Sequence, residues 1–131
     1  MKPAKRVEDS ITEQQYLLTP GHLNHYGRLF GGQLMMWIDE VAGIVARRHA
    51  NSLITTAAVD NLQFKGPAYC EQVVVLVGRI THVGRSSMEI RVDTYVEDLD
   101  GTRKLVNTAF FVMVALDEKD HPVQVPGLIL E

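Results

Sequence analysis

The chain has 131 residues, of which 46% are hydrophobic and 22% charged, with a net charge of −3. That length fits one compact domain, and the balance excludes a disordered, collagen-like or coiled-coil chain and lacks the basic footprint of a nucleic-acid binder. Cys70 is the only cysteine, which excludes an internal disulfide and a CxxC zinc site.

In chain order, residues 1–10 (MKPAKRVEDS) are polar and are expected to be a flexible N-terminal segment. No apolar stretch follows their positive charges, so they do not read as a secretory signal. Residues 11–18 read as a first strand that Pro20 and Gly21 break, and His22 to Phe30 reads as a loop. From Gly31 to about His49 the pattern is helical. Leu34, Ile38, Val41 and Val45 recur on one face, Met35, Ala42 and Ala46 widen it, and Arg47 and Arg48 suit the last turn. So wide an apolar face predicts a central helix nearly surrounded by protein.

Leu53 to Phe64 reads as strand, closed by Lys65-Gly66-Pro67. Val73 to Val83 is an almost continuous apolar run, as in a strand covered on both faces. Ser87 to Glu97 alternates, with Met88, Ile90, Val92 and Val96 on one side and charged residues on the other. Gly84-Arg85-Ser86 and Asp98 to Gly101 are turns, and Thr102 to Leu116 is the last strand. Its uncharged run, Leu105 to Leu116, is short of the roughly 20 residues a membrane span needs. A cytosolic protein that does not enter membranes is the expectation. Residues 127–131 are a tail beyond Pro122 and Pro126, leaving 11–126 as the folded domain. Runs of strands around one helix predict an α+β fold, with a curved antiparallel sheet of about five strands wrapped around the helix. The open edges of such a sheet predict a homodimer.

For chemistry, the chain lacks the serine elbow GxSxG, the zinc motif HExxH and the phosphate loop GxxxxGK[ST]. Gly31-Gly32 at the helix start would each cost roughly 1 kcal/mol against alanine at interior positions. The pair reads either as a tight entry to the helix or as bare backbone whose free N–H groups stabilise an oxyanion. Asp39 lies about two turns into the helix among apolar neighbours. It reads either as part of a solvated stripe with Glu40 or as a general base in a partly desolvated cleft, which would raise its pKa. His22, Asn24 and His25 form a weak metal-like set without acidic or thiol partners; Asn24 is the more useful member, able both to donate and to accept. Arg85, Ser86 and Ser87 at a hairpin turn could hold phosphate oxygens or simply form the turn. Cys70 reads as a packing residue.

Taken together, residues 24–40 (NHYGRLFGGQLMMWIDE) resemble the signature of hotdog-fold acyl-CoA thioesterases of the YciA and brain acyl-CoA hydrolase type. The likeness continues through residues 55–60 (TTAAVD), 64–67 (FKGP), 83–90 (VGRSSMEI) and 110–117 (FFVMVALD), spanning about residues 10 to 126. The resemblance implies a single hotdog domain that hydrolyses acyl-CoA to free acid and CoA. The family's acid matches Asp39 and its loop asparagine matches Asn24, the two coming from opposite subunits of a homodimer, commonly within a trimer of dimers. Gly31 and Gly32 would supply the oxyanion N–H groups, Arg85, Ser86 and Ser87 the CoA contacts, and Met35, Met36 and Trp37 the walls of an acyl tunnel. Coenzyme A is then part of the substrate, and no cofactor or metal is expected. Where the family usually shows Gly-Asp, this chain has Glu71-Gln72, which puts the local turn in doubt. A hotdog hydratase, relying on His22 or His25, and a non-catalytic acyl-CoA sensor are the rival readings.

Overall fold

Two turns, at Gly84–Ser86 and Asp98–Gly101, fold three long strands into the meander at the centre of the structure. A computed structural model describes residues 2–60 and 63–130. Its elements are β1 (Lys5–Arg6), β2 (Thr12–Leu17), α1 (Gly31–Ala50), β3 (Leu53–Asp60), β4 (Val73–Val83), β5 (Ser87–Glu97), β6 (Arg103–Leu116) and β7 (Leu128–Ile129), with 3-10 turns at Val7–Asp9 and Pro20–His22. β2 to β6 form one antiparallel sheet in the order β2-β4-β5-β6-β3. The alternation along β5 sets the register: Met88, Ile90, Val92 and Val96 face the helix and are buried. Gly101, at φ +86, occupies a backbone conformation that side chains resist, and its N–H closes the second turn on the Asp98 carbonyl at 2.9 Å.

The helix lies in the concave face of this sheet, as a hotdog domain requires. Ile38, Val41 and Val45 are fully buried, against a core that includes Val74, Leu76, Ile90, Val92, Phe111 and Met113. Close approach depends on Gly78 in β4, where an added Cβ would lie 2.7 Å from Val41 Cγ1. The helix is not surrounded, however. Met35, Met36, Asp39 and Glu40 are exposed, because β3 is an edge strand and, among the described residues, no strand pairs beyond it. Of β3, Ile54 alone is half-buried; Leu53 and the strand from Thr55 to Asp60 are exposed.

The two ends of the chain also differ from the expectation of loose termini. β1 pairs parallel with β7, joining Lys5 to Leu128 and Arg6 to Ile129. Lys2 Nζ donates to the Ala50 carbonyl at 3.0 Å and Lys5 Nζ to the Arg48 carbonyl at 2.9 Å, so two cations sit on the last carbonyls of the helix. The helix ends at Asn51, in the left-handed region at φ 54. Among the described residues, no helix is long and apolar enough to cross a membrane.

Candidate active site

Phe30, at the N-cap of α1, has no capping side chain, and the first helical hydrogen bond runs from Leu34 N to Phe30 O at 3.2 Å. The N–H groups of Gly31, Gly32 and Gln33 therefore have no helical acceptor and present the positive end of the dipole. The two glycines are not equivalent. A Cβ on Gly32 would fall 2.7 Å from the Phe30 ring, which folds back over it, whereas one on Gly31 would make an ordinary 3.6 Å contact with Phe64.

Asp39 follows eight residues later, about 12 Å along the axis. Its carboxylate Oδ1 accepts a hydrogen bond from Thr56 Oγ1 at 2.9 Å. Thr56 faces inward because it pairs with Met113, a helix-facing residue of β6, and its hydroxyl also lies 3.5 Å from Met113 Sδ. The sequence reading missed this threonine. The signal available was the Thr-Thr pair opening the 55–60 block, but which of the two faces the helix depends on register with β6.

Asn24 stands in the loop before the helix. Its Oδ1 accepts from the backbone N–H of Tyr26 at 2.9 Å and of Arg28 at 3.2 Å. Two converging donors identify this atom as the oxygen and commit it to the loop. The side chain is left with one chemical capacity at Nδ2, donation, which narrows the expected donor-and-acceptor role. The loop itself is fixed by Asn24 N to Arg28 O at 2.7 Å, Gly27 at φ +77 and Leu29 N to Ala68 O at 2.7 Å. Within one chain, the hydrogen bonds of Asn24 stay in its loop and that of Asp39 goes to Thr56.

Neighbouring candidates have structural roles. His22 packs edge-on against Trp37 at 4.9 Å, and Trp37 stacks on Tyr16 at 4.1 Å. His22 Nδ1 accepts from Thr19 N at 3.2 Å. This ring pile fastens the loop to the helix and buries Trp37, so that residue is not the tunnel wall expected of it. Burial, with Glu40 nearby, pushes the Tyr16 phenol above its ordinary range and keeps it a donor to Gln14 Oε1 at 2.7 Å. His25 stacks on Tyr26 at 4.0 Å. Among the described residues, no three His, Cys, Asp or Glu side chains are grouped as metal ligands. Cys70 is exposed, its Sγ 3.7 Å from the Leu18 carbonyl.

Arg85, Ser86 and Ser87 are not brought to the Gly31 loop in one chain. The carbonyls of Arg85 and Ser86 accept from Val125 N and Ala115 N, both at 2.9 Å, at the far end of β6. The loop beside Gly31 is bonded to the near end through Lys65 N and Val106 O. Nine residues of strand separate those anchors, about 30 Å. The Glu71-Gln72 departure is structurally defined: Glu71 sits at φ 73, and Gln72 accepts from Tyr69 N and donates to Asp98 Oδ1, both at 2.8 Å.

A helix held in a curled five-stranded sheet, with a mid-helix acid and bare glycine N–H groups at its start, defines a hotdog domain of the thioesterase type. The family model "Thioesterase superfamily" matches residues 26–101, and the chain belongs to that superfamily. The chain is 41% identical over 113 residues to the uncharacterised acyl-CoA thioester hydrolase YkhA of Bacillus subtilis, covering 86% of this chain and 66% of YkhA. A hexameric acyl-CoA thioesterase superposes with a TM-score of 0.92 at 39% identity, covering 99% of this chain and 84% of its own. The acyl-CoA hydrolase of Staphylococcus aureus, solved with butyryl-CoA, CoA and CoA disulfide, superposes with a TM-score of 0.90 at 32% identity over 98% of this chain and 79% of its own. That hydrolase has also been solved with single alanine substitutions of an aspartate, an asparagine and a threonine. The chain spans 21% of the length of one curated relative, the acyl-coenzyme A thioesterase 11 of Mus musculus, and 74% of another, the uncharacterised acyl-CoA thioester hydrolase ZMO0511 of Zymomonas mobilis.

Proposed function

We propose that the protein is an acyl-CoA thioesterase whose active site forms between two copies of the chain. The observation that carries the reading is the Asp39–Thr56 hydrogen bond on the same helix that begins with unpartnered glycine N–H groups. Asp39 takes a proton from water as the oxygen attacks the thioester carbonyl carbon. Because Gly31 and Gly32 lie about 12 Å from Asp39 along one helix, the N–H groups that meet the oxyanion at this site are those of Gly31 and Gly32 of the partner subunit. The tetrahedral intermediate collapses by breaking the C–S bond, and the proton held by Asp39 passes to the departing thiolate, whose conjugate acid has a pKa of about 8.5. Direct attack by Asp39, giving an anhydride that water then cleaves, uses the same geometry. Asn24 of the partner subunit donates through Nδ2 to the carbonyl or to the water. This chemistry needs neither metal nor redox cofactor. The three positions substituted in the S. aureus hydrolase support the assignment: in the order Asn, Asp, Thr they are spaced fifteen and seventeen residues apart, as are Asn24, Asp39 and Thr56.

The edge strand supports the homodimer. β3 (LITTAAVD) has no lysine or proline to discourage pairing, and Leu53 and Val59 are exposed on it. Antiparallel pairing of two β3 strands about a two-fold axis sets the Leu53 end of one beside the Asp60 end of the other. Arg85, Ser86 and Ser87 lie at the Leu53 end, so they meet the partner's half of the dimer and can hold the CoA phosphates of a thioester bound there. A trimer of dimers is the larger assembly, as the hexameric relatives suggest, in the cytosol, the setting named for several mammalian relatives. The test is thiol release from a panel of acyl-CoAs. Wild type releases CoA and Asp39→Asn loses several orders of magnitude in turnover; an Asp39→Asn variant with most of its activity overturns the assignment.

A further inference from the structure

The helix-facing positions of β5 are Met88, Ile90, Val92, Thr94 and Val96. Four are apolar and one carries a hydroxyl. Thr94 is fully buried, and its Oγ1 has no hydrogen-bond partner. Enclosing an unsatisfied hydroxyl is unfavourable, and valine, of the same shape, would complete the apolar face without it. Packing therefore gives no reason for the hydroxyl at this position.

A cavity supplies one. Thr94 lines a partly open space of about 50 Å³ beneath the start of α1, with Leu34, Phe64, Val74 and Val106 as walls and Gly31 at its border. Among the described residues, Thr94 carries the one polar side chain of that lining. The space is too small for a long alkyl chain and admits only a few atoms.

We infer that this cavity receives the acyl group of the substrate and that Thr94 is a specificity residue for short acyl groups bearing an oxygen near the thioester, as in 3-hydroxyacyl and 3-oxoacyl chains. The inference rests on the thioesterase reading above and deepens it. With the carbonyl held at the Gly31 N–H, a three- or four-carbon acyl group fills the space, and a hydroxyl or keto oxygen on its third carbon meets Thr94 Oγ1. A site built to hydrogen-bond a substrate oxygen discriminates strongly against the analogue that lacks it, because its own buried polar group then stays unpaired.

The test measures kcat/KM for 3-hydroxybutyryl-CoA, acetoacetyl-CoA, butyryl-CoA and a long-chain acyl-CoA with wild type, Thr94→Val and Thr94→Ser. Wild type is expected to favour the two oxygenated substrates over butyryl-CoA by about tenfold or more and to turn over the long chain poorly. Thr94→Val is expected to keep butyryl-CoA hydrolysis and bring the ratio close to one, and Thr94→Ser to keep the preference. A wild-type enzyme that hydrolyses butyryl-CoA as well as its oxygenated analogues overturns the inference, even if no variant folds. An unchanged ratio in Thr94→Val overturns it as well, and either result leaves the thioesterase reading standing. Absence of thiol release from every acyl-CoA overturns that reading, and this inference with it.

Discussion

Thr56 Oγ1 donates to Asp39 Oδ1 across 2.9 Å, tying the edge strand of the sheet to the middle of its central helix. The bond fixes the rotation of a carboxylate that would otherwise be free on an exposed face, and leaves its second oxygen available to a water. Thr56→Val is expected to lower kcat about 10- to 100-fold, as misplacement of a catalytic group does, while changing KM little. Thr56→Ser is expected to keep most of the activity. Steady-state kinetics decide it; a change confined to KM would make Thr56 a binding residue.

In the proposed site, Asn24 divides its two ends between structure and chemistry. Aspartate keeps both oxygens as acceptors for the Tyr26 and Arg28 N–H groups but has no Nδ2 to donate. Asn24→Asp is therefore expected to fold with wild-type stability and lose turnover, whereas Asn24→Ala is expected to lose turnover and also about 1–2 kcal/mol of stability as the loop loses its acceptor. Thermal melts beside rate measurements separate the two. Full activity in Asn24→Asp would remove the donor role.

Glu71 holds φ at 73, where a Cβ crowds the backbone. Glu71→Gly is expected to stabilise the fold by about 0.5–1 kcal/mol, the relief of strain exceeding the added freedom of the unfolded chain. Denaturant titration measures it, and a destabilised variant would show that the Glu71 side chain contributes more than its backbone costs.

His49 is fully buried where the helix meets the C-terminal segment. Its Nε2 lies 2.8 Å from the Pro126 carbonyl and so carries the proton, while Nδ1 has no partner. Burial is the main cause that holds its pKa below the ordinary 6.5; Lys5 adds to the effect, and the Pro126 carbonyl and Asp9 oppose it. Below about pH 6.5 the unfolded chain binds a proton that the folded chain refuses. Stability should thus fall as pH drops through that value, until the folded-state pKa is passed. His49→Gln, whose amide can still donate to Pro126, is expected to flatten this slope below about pH 6.5. Melts at several pH values give the slopes, and equal slopes in both proteins would assign the pH dependence elsewhere.

Much of this fold is legible because its signals are local. Val73 to Val83 and Ser87 to Glu97 are strands with the ends that Gly84–Ser86 and Asp98–Gly101 mark, and Leu34, Ile38, Val41 and Val45 are the buried stripe of the helix. Long-range contacts are not legible in that way. The two-residue pairing of Lys5–Arg6 with Leu128–Ile129 joins the chain's ends, and no periodicity in MKPAKRVEDS announces it. Met35 extends the apolar stripe in sequence but lies exposed, because the surface it faces is left open by the single chain. At the proposed site, Asp39, Asn24 and the glycines stand out by residue type, whereas Thr56 and Thr94 are placed only by register: one faces Met113 and the helix, the other lines a cavity.

The central claim is that one site takes Asp39 from one copy and Asn24 from the other. Asp39→Asn and Asn24→Asp proteins, each inactive alone, can be unfolded together and refolded in equal amounts, with mixed dimers verified by distinct tags. In each mixed dimer one site regains both wild-type residues, so about a quarter of wild-type thiol release is expected on random pairing. No recovery in verified mixed dimers would place both residues in a site within one chain and contradict the account.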